Sequence, residues 1–228
     1  DSVLSYVPMA TSSQHQSRRV CRGRLAEDGT YRFDARVTAR GEEAVGLRLQ
    51  CLDRSEEHRE RILAQTAAVD LTGAEVSGMK FSQLEDLTQD VCYEYSITLN
   101  RWGRRIEDIL LLRIPWAQPV QTIGPLSAAS RVQPLAAPGV LGVSESHEIE
   151  IPPGFAGYGL PYLTEVDCDW GTYACSVRVD QTRLICKRQV EYRGGIVPPE
   201  RFGEFKDFWE VCARADAADV VLMKTKSQ

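Results

Sequence analysis

Histidine is scarce in this 228-residue chain, with three in all, and no two cysteines stand in a Cys-x-x-Cys pair. The first shortage leaves few general bases for an enzyme that works through an activated nucleophile. The second removes the usual announcement of structural zinc. No apolar run approaches the roughly 18 residues of a membrane span, and the N-terminus lacks the basic start and apolar stretch of a secretory signal. Basic charge is not in surplus either. With 27 Lys and Arg against 32 Asp and Glu, the balance is opposite to that of a protein whose main partner is a phosphate backbone, so nucleic acid is not an expected partner. An initiator Met is missing too, and the opening Asp1-Ser2 reads as a processed product or a piece of a longer protein. The chain is expected to be soluble and without direct membrane insertion.

What is present is a set of short alternating segments. Arg18–Arg24 and Tyr31–Arg40 alternate well enough for a hairpin around Asp28-Gly29, a favoured turn pair. The spacing of Ala44, Val45, Leu47, Leu49 and Leu52 fits a helix or a strand almost equally, and helix is preferred. Asp53 or Ser55 can cap a second helix through about Ala68, with Ile62, Leu63, Thr66 and Ala67 on its inner face. Beyond Gly73 the pattern turns to β-like runs: Glu75–Phe81, Val91–Leu99, Ile109–Ile114, His147–Ile151, Thr164–Trp170, Tyr173–Val179, Arg183–Tyr192 and Val220–Lys224. Between the last two, Pro198-Pro199 marks a helix start, because proline in the first turn forfeits no hydrogen bond. Phe202, Phe205, Phe208, Trp209, Cys212 and Ala213 then recur at helical spacing, giving one wide apolar face that needs a sheet to cover.

The expected fold is α+β, mainly antiparallel β: sandwich-like sheets with one or two N-terminal helices and a C-terminal amphipathic helix packed on the sheet. Residues 1–17 read as a tail or linker, 18–126 as an N-terminal β-rich subdomain with helices, and 127–228 as a C-terminal sandwich-like subdomain with a helix over 199–215. The proline-rich stretch from Pro115 to Val143 is the seam between the halves, or equally an ordered crossover within one domain.

Seven cysteines cannot all pair within one chain. A turn at Asp180-Gln181 would set Cys175 opposite Cys186, and a turn at Gly171-Thr172 would set Cys168 opposite Cys175, so at most one of these bonds can exist. Directly opposed cysteines are poorly placed for a disulfide, and buried free thiols are preferred.

Candidate chemistry is sparse, and neither a catalytic residue nor a cofactor-binding or metal-ligating residue is assigned. His15 falls in the polar tail, His58 on a charged helix face and His147 at the start of a strand, so all three read as solvated or structural. Asp167 and Asp169 flank Cys168 on a solvated strand face. The phrase Pro152 to Gly159 has the glycines of a phosphate loop but not its Lys-Ser/Thr ending, and reads as a turn between strands. Arg101, Trp102, Arg104 and Arg105 form the one concentrated basic patch with an aromatic; with Trp170 they are the candidate ligand-binding residues.

Several stretches together resemble the region that follows the catalytic domain in bacterial transglutaminase-like proteins, in which a papain-like core is flanked by β-rich domains of unknown function. They are Gly41-Glu42-Glu43-Ala44 with Arg48, Glu56-Glu57, Phe81 to Leu87, Ile151 to Gly154, Leu160-Pro161, and above all Gly195 to Phe202 through Ala213 to Asp216 with Val220-Val221-Leu222. The resemblance implies the C-terminal, non-catalytic portion of such a protein, since no stretch matches the family's catalytic Cys, His and Asp motifs. It also implies a bacterial envelope or periplasmic location, and the chain's own catalytic domain or another envelope protein as partner. A non-catalytic accessory domain is the first expectation. A carbohydrate- or peptide-binding module around Trp102 and Trp170 is the alternative, and a cysteine-dependent hydrolase or transferase the third.

Overall fold

The computed structural model describes residues 11–71, 73–121, 126–160 and 163–225, without the side chains of residue 63 and residues 66–70. The N-terminal half of the expected tail, the Pro161 of the Leu160-Pro161 match, and the Leu63, Thr66 and Ala67 contacts of the second helix lie outside these residues.

The chain is α+β and built mainly of antiparallel strands. Strands β1 (Gln16–Leu25) and β2 (Tyr31–Arg40) form the hairpin expected around Asp28-Gly29. Gly29 sits at φ 83°, and a Cβ there would collide with the carbonyl of Gly103, whose own amide donates to Gly29 O at 2.8 Å. Helix α1 (Glu42–Cys51) follows, with its first amide donating to His15 Nδ1 at 3.0 Å. That histidine, expected as solvated or structural, therefore takes the structural role of a helix cap. Helix α2 (Glu56–Asp70) is capped by Ser55, whose Oγ accepts from the His58 amide at 3.3 Å.

Next come β3 (Ala74–Ser82), β4 (Val91–Leu99), β5 (Arg104–Ile106) and β6 (Ile109–Arg113). A long connection holding the two-residue β7 (Leu135–Ala136) leads to β8 (Leu141–Glu150). The chain then runs through β9 (Phe155–Gly159), β10 (Thr164–Cys168), β11 (Gly171–Asp180), β12 (Arg183–Tyr192) and the short β13 (Ile196–Val197). A 3-10 turn over Pro199–Arg201 starts α3 (Phe202–Asp216), and β14 (Asp219–Lys224) closes the fold.

One sheet has eight strands in the order β10-β11-β12-β8-β1-β2-β4-β3; another has four, β5-β6-β14-β9. All pairs in them are antiparallel except β1 with β8, which run parallel side by side at the centre of the large sheet. Both sheets therefore take strands from either side of residue 126, and the proline-rich stretch is the connection that carries the chain from the small sheet to the middle of the large one. The phrase Phe155–Gly159, expected as a turn, is an edge strand on β14, and Arg104–Ile106, within the basic patch, is an edge strand on β6.

Helix α3 lies as its spacing requires. Phe202, Phe205, Phe208, Trp209 and Cys212 are all buried, and the helix packs on β10 and β11. Trp170 meets Phe205 edge-on at 5.6 Å and Tyr192 stacks on Trp209 at 5.8 Å. At about 1.5 to 3 kcal/mol for each large apolar side chain, this stripe is a principal anchor of the C-terminal half. The apolar side chains of α3 share one buried cluster with Leu110 and Leu222 of the small sheet and with Leu25, Ile149 and Leu184 of the large one.

All seven cysteines are free. Gln181 takes a left-handed φ of 55°, so the β11–β12 turn is Gln181-Thr182, one residue later than expected. Cys175 then faces Arg188, and Cys186 faces Val177. The preceding turn is Asp169-Trp170, which sets Cys168 opposite Gly171 and Cys175 opposite Thr164. Neither of the two cysteine pairings exists.

Candidate functional site: a buried charged cluster beside a cavity

Alternation decides which side chains enter the core. On β8 the odd-numbered residues face inward, so Glu145 and His147 follow Val143 and precede Ile149 on the buried face. On β12 the same rule sends Arg188 inward with Leu184, Cys186 and Val190. On β1 it sends Arg19 inward with Cys21 and Leu25. Asp216 joins them from α3, one turn after Cys212. His147, expected at the start of a strand and solvated or structural, lies mid-strand and is fully buried.

These residues form one chain of charge. Glu145 accepts from Arg19 Nη1 at 2.8 Å, Arg188 Nη2 at 3.1 Å, His147 Nε2 at 3.0 Å and the Ala117 amide at 3.0 Å. Asp216 accepts from Arg188 Nη1 at 2.6 Å, Tyr173 Oη at 2.7 Å and the Val120 amide at 2.7 Å. Arg188 also donates to Ala117 O at 2.6 Å and lies 5.1 Å from the centre of the Trp116 ring. The cluster thus ties β1, β8, β11, β12 and α3 to the segment from Pro115 to Val120. A carboxylate so buried survives only because every lone pair has a donor. Burial alone would raise the Glu145 pKa, but Arg19, the His147 hydrogen bond and Arg188 outweigh it and hold the group at about 2. For His147, burial acts to lower the pKa, while Cys21 and Glu145 act the other way and leave it raised.

Cys21, Glu145 and His147 each bring one ligand-type atom to within 4.8 Å of the others. The thiol and imidazole come together because Cys21 and His147 are register partners in the parallel pair. Exposure is 1% for Cys21, 2% for Glu145 and 0% for His147. Tyr31 Oη lies 3.2 Å from His147 Nδ1, and Trp116 and Phe33 pack edge-on against the ring, which completes its enclosure. Two arginines, a hydrogen-bonded imidazole and a raised histidine pKa make a poor setting for a cation, and both ring nitrogens already face Glu145 and Tyr31.

A cavity of about 110 Å3 adjoins the cluster, between the inner face of the large sheet, the start of α1, Leu71 and Ala117-Gln118. Arg19 and Glu145 form its polar wall, and Val37, Val76 and Ile97 its apolar one.

A model of the family called DUF3858, a domain of unknown function with a solved structure, matches residues 108–222, about half of the chain. The chain belongs to the DUF3858 family. The matched segment contains Glu145, His147, Arg188 and Asp216, while Arg19 and Cys21 come from outside it. No curated protein matches the chain. Among solved structures, a candidate protease from Parabacteroides distasonis ATCC 8503 is similar at a TM-score of 0.43 and 10% identity, over 51% of this chain and 24% of that one. The overlap thus spans about a quarter of that protein's length, and a likeness at this level carries neither fold nor activity across.

The residues singled out from sequence lie elsewhere in this DUF3858 chain. Trp102 is half-buried and donates from Nε1 to Arg113 O at 2.7 Å, in a turn pinned to Gly29 through Gly103. Arg101 and Arg104 are exposed, and Arg105 pairs with Glu27 at 3.3 Å. Trp170 is only 5% exposed. Phe205 meets its ring, Arg201 sits 4.8 Å above it with Asp169 as its carboxylate partner, and its Nε1 donates to Ile196 O. Trp170 is therefore a core residue under α3.

A third buried arginine explains one of the resembling stretches. Arg48 of α1 donates to the carbonyls of Leu84, Gln83, Asp86 and Gln89 at 3.0, 3.1, 2.6 and 2.7 Å. The guanidinium is the template on which the loop after β3 is wound.

Proposed function

We propose that the chain is a non-catalytic accessory domain that works by docking on a neighbouring domain of its own polypeptide. The observation that carries this reading is the enclosure of the thiol–imidazole–carboxylate group. A nucleophilic cysteine needs access for its substrate and an electropositive, partly exposed setting, whereas Cys21, His147 and Glu145 are all at most 2% exposed and the carboxylate is committed to two arginines. Such a network specifies packing rather than reaction. The surface around Arg48 supports a docking role. Leu49 and Leu87 stand 81% and 76% exposed on α1 and on the loop that Arg48 holds, so two large apolar tips are presented by rigid backbone.

By its sequence resemblance the neighbouring domain is the papain-like core of a transglutaminase-like protein, and the bacterial envelope is the compartment. The glycan- or peptide-module reading is weaker, because Trp170 supports α3 and leaves Trp102 as the only aromatic of that pair near the surface.

The test is association in solution. The catalytic region of the same polypeptide, expressed separately, is titrated with this chain by calorimetry, using wild type and the Leu49→Glu/Leu87→Glu double variant. Saturable binding that the double variant loses supports docking. Heat-silent mixing, together with labelling of native Cys21 as fast as in denaturant, would overturn the reading.

A further inference from the structure

The cavity beside Arg19 has an imbalance of hydrogen-bonding groups. Arg19 is 5% exposed, and its Nη1 is spent on Glu145 and, at 3.4 Å, on Pro115 O. Its Nε is buried without a partner. Glu145 is the acceptor on the same wall, but Arg19, Arg188, His147 and the Ala117 amide already fill it. Tyr95, a further wall residue, has its pKa pushed up to about 12 by burial, so its hydroxyl stays protonated and able to donate. The part of the lining next to the cluster therefore offers donors from Arg19 and Tyr95, with the Ser17 hydroxyl able to donate or accept. Beside it on the same sheet stand Val37, the register partner of Arg19, then Ile97 and Val76, with half-buried Glu43 and exposed Gln118 also in the lining.

We propose that this cavity is a binding site for a small organic molecule with a carbonyl or carboxylate oxygen on a short, branched apolar body. The oxygen faces the Arg19 guanidinium, and the body fills the space between the valines. Size sets the limit: an apolar cavity of about 150 Å3 admits benzene, so one somewhat smaller takes at most about six non-hydrogen atoms. The two oxygen chemistries differ in charge. Arg19 and Arg188 balance Glu145 and Asp216 within the cluster, and a proton on His147, whose pKa is raised, tips that balance toward a carboxylate over an amide. The half-buried Glu43 in the lining opposes it.

Isobutyramide and isobutyrate, equal in size and different in charge, are suitable probes. Each is titrated into isotope-labelled protein while amide shifts are followed by NMR, with Val37→Phe as a variant that fills the cavity. The expected result is saturable movement of the Val37, Tyr95 and Ile97 amides with a dissociation constant on the order of 1 mM, abolished in Val37→Phe. Saturation by the amide alone assigns a neutral occupant, and by the carboxylate alone an anionic one; either supports the site. Shifts that remain linear for both probes mean a cavity that holds water only, and saturation that persists in folded Val37→Phe means binding elsewhere. Both overturn the proposal. Should Val37→Phe not fold, Val76→Leu narrows the same space from two strands further along the sheet and provides the comparison.

Discussion

Arg188 Nη1 and Asp216 Oδ2 meet at 2.6 Å, with each side chain 1% exposed, where β12 faces the last turn of α3. This contact joins sheet to helix through charge in a region otherwise joined by aromatic packing. Removing one partner leaves the other charged and dry. Arg188→Met should therefore lower the unfolding free energy by about 3 to 5 kcal/mol, measured by urea denaturation. A loss below about 1 kcal/mol would mean that the remaining donors of Asp216, the Tyr173 hydroxyl and the Val120 amide, suffice without the arginine.

Stability should fall between mildly acidic and alkaline pH for a reason located at His147. Its folded pKa is raised above the ordinary 6.5. The stabilisation is thus fully present below about 6.5 and is lost as pH rises through the folded value. Glu145 works in the opposite sense: with a folded pKa of about 2 against the usual 4.5, its contribution is present above about 4.5 and is lost as pH falls toward 2. The two contributions coexist in the window between. Unfolding free energies taken at mildly acidic and at alkaline pH should differ less in His147→Gln than in wild type, and an unchanged difference would remove His147 as the cause.

Arg48→Lys should loosen the loop from Gln83 to Gln89 while leaving the sheets intact. An ammonium cannot span four carbonyls held by a planar fork. Amide exchange in that loop should quicken at least tenfold with little change on β1, β8 or β12. Exchange that quickens uniformly would point to global destabilisation instead.

Thiol chemistry should sort the cysteines by depth. Cys92 and Cys168 are half-buried, whereas Cys21, Cys51, Cys175, Cys186 and Cys212 are buried. Burial raises the pKa of Cys51, Cys175 and Cys186, and that of Cys212 to about 12. A charged thiol reagent should modify Cys92 and Cys168 first in the native protein and all seven once it is unfolded without reductant. Fewer than seven under those conditions would reveal a disulfide.

Much of the fold was legible because period and apolar character agree along most strands. Val91–Leu99 and Arg183–Tyr192 fall where their alternation puts them, and the aromatic stripe of α3 points at the sheet as its spacing requires. The misses have physical causes. The β11–β12 register was misread because Gln181 occupies a left-handed turn position usually given to glycine or asparagine. The strand Phe155–Gly159 was hidden by its glycines, which alternation cannot rank. The charged cluster left a signal that was passed over. Glu145 and His147 share the parity of Val143, Ile149 and Ile151, Arg188 that of Leu184 and Val190, and Asp216 stands four residues after Cys212. Parity alone places a charge inside. What it cannot supply is the partner, because Arg19 and Glu145 are brought together by a parallel pairing across 126 positions of sequence.

That parallel pair also sets an order of events. Until β8 has been synthesised, the first hairpin offers the inner edge of β1 to solvent and keeps Arg19 without its carboxylate. The strand that covers the edge also delivers the counter-charge, so closing the sheet and neutralising the interior are one step. Assembly of this molecule therefore waits on the chain's return to its starting strand.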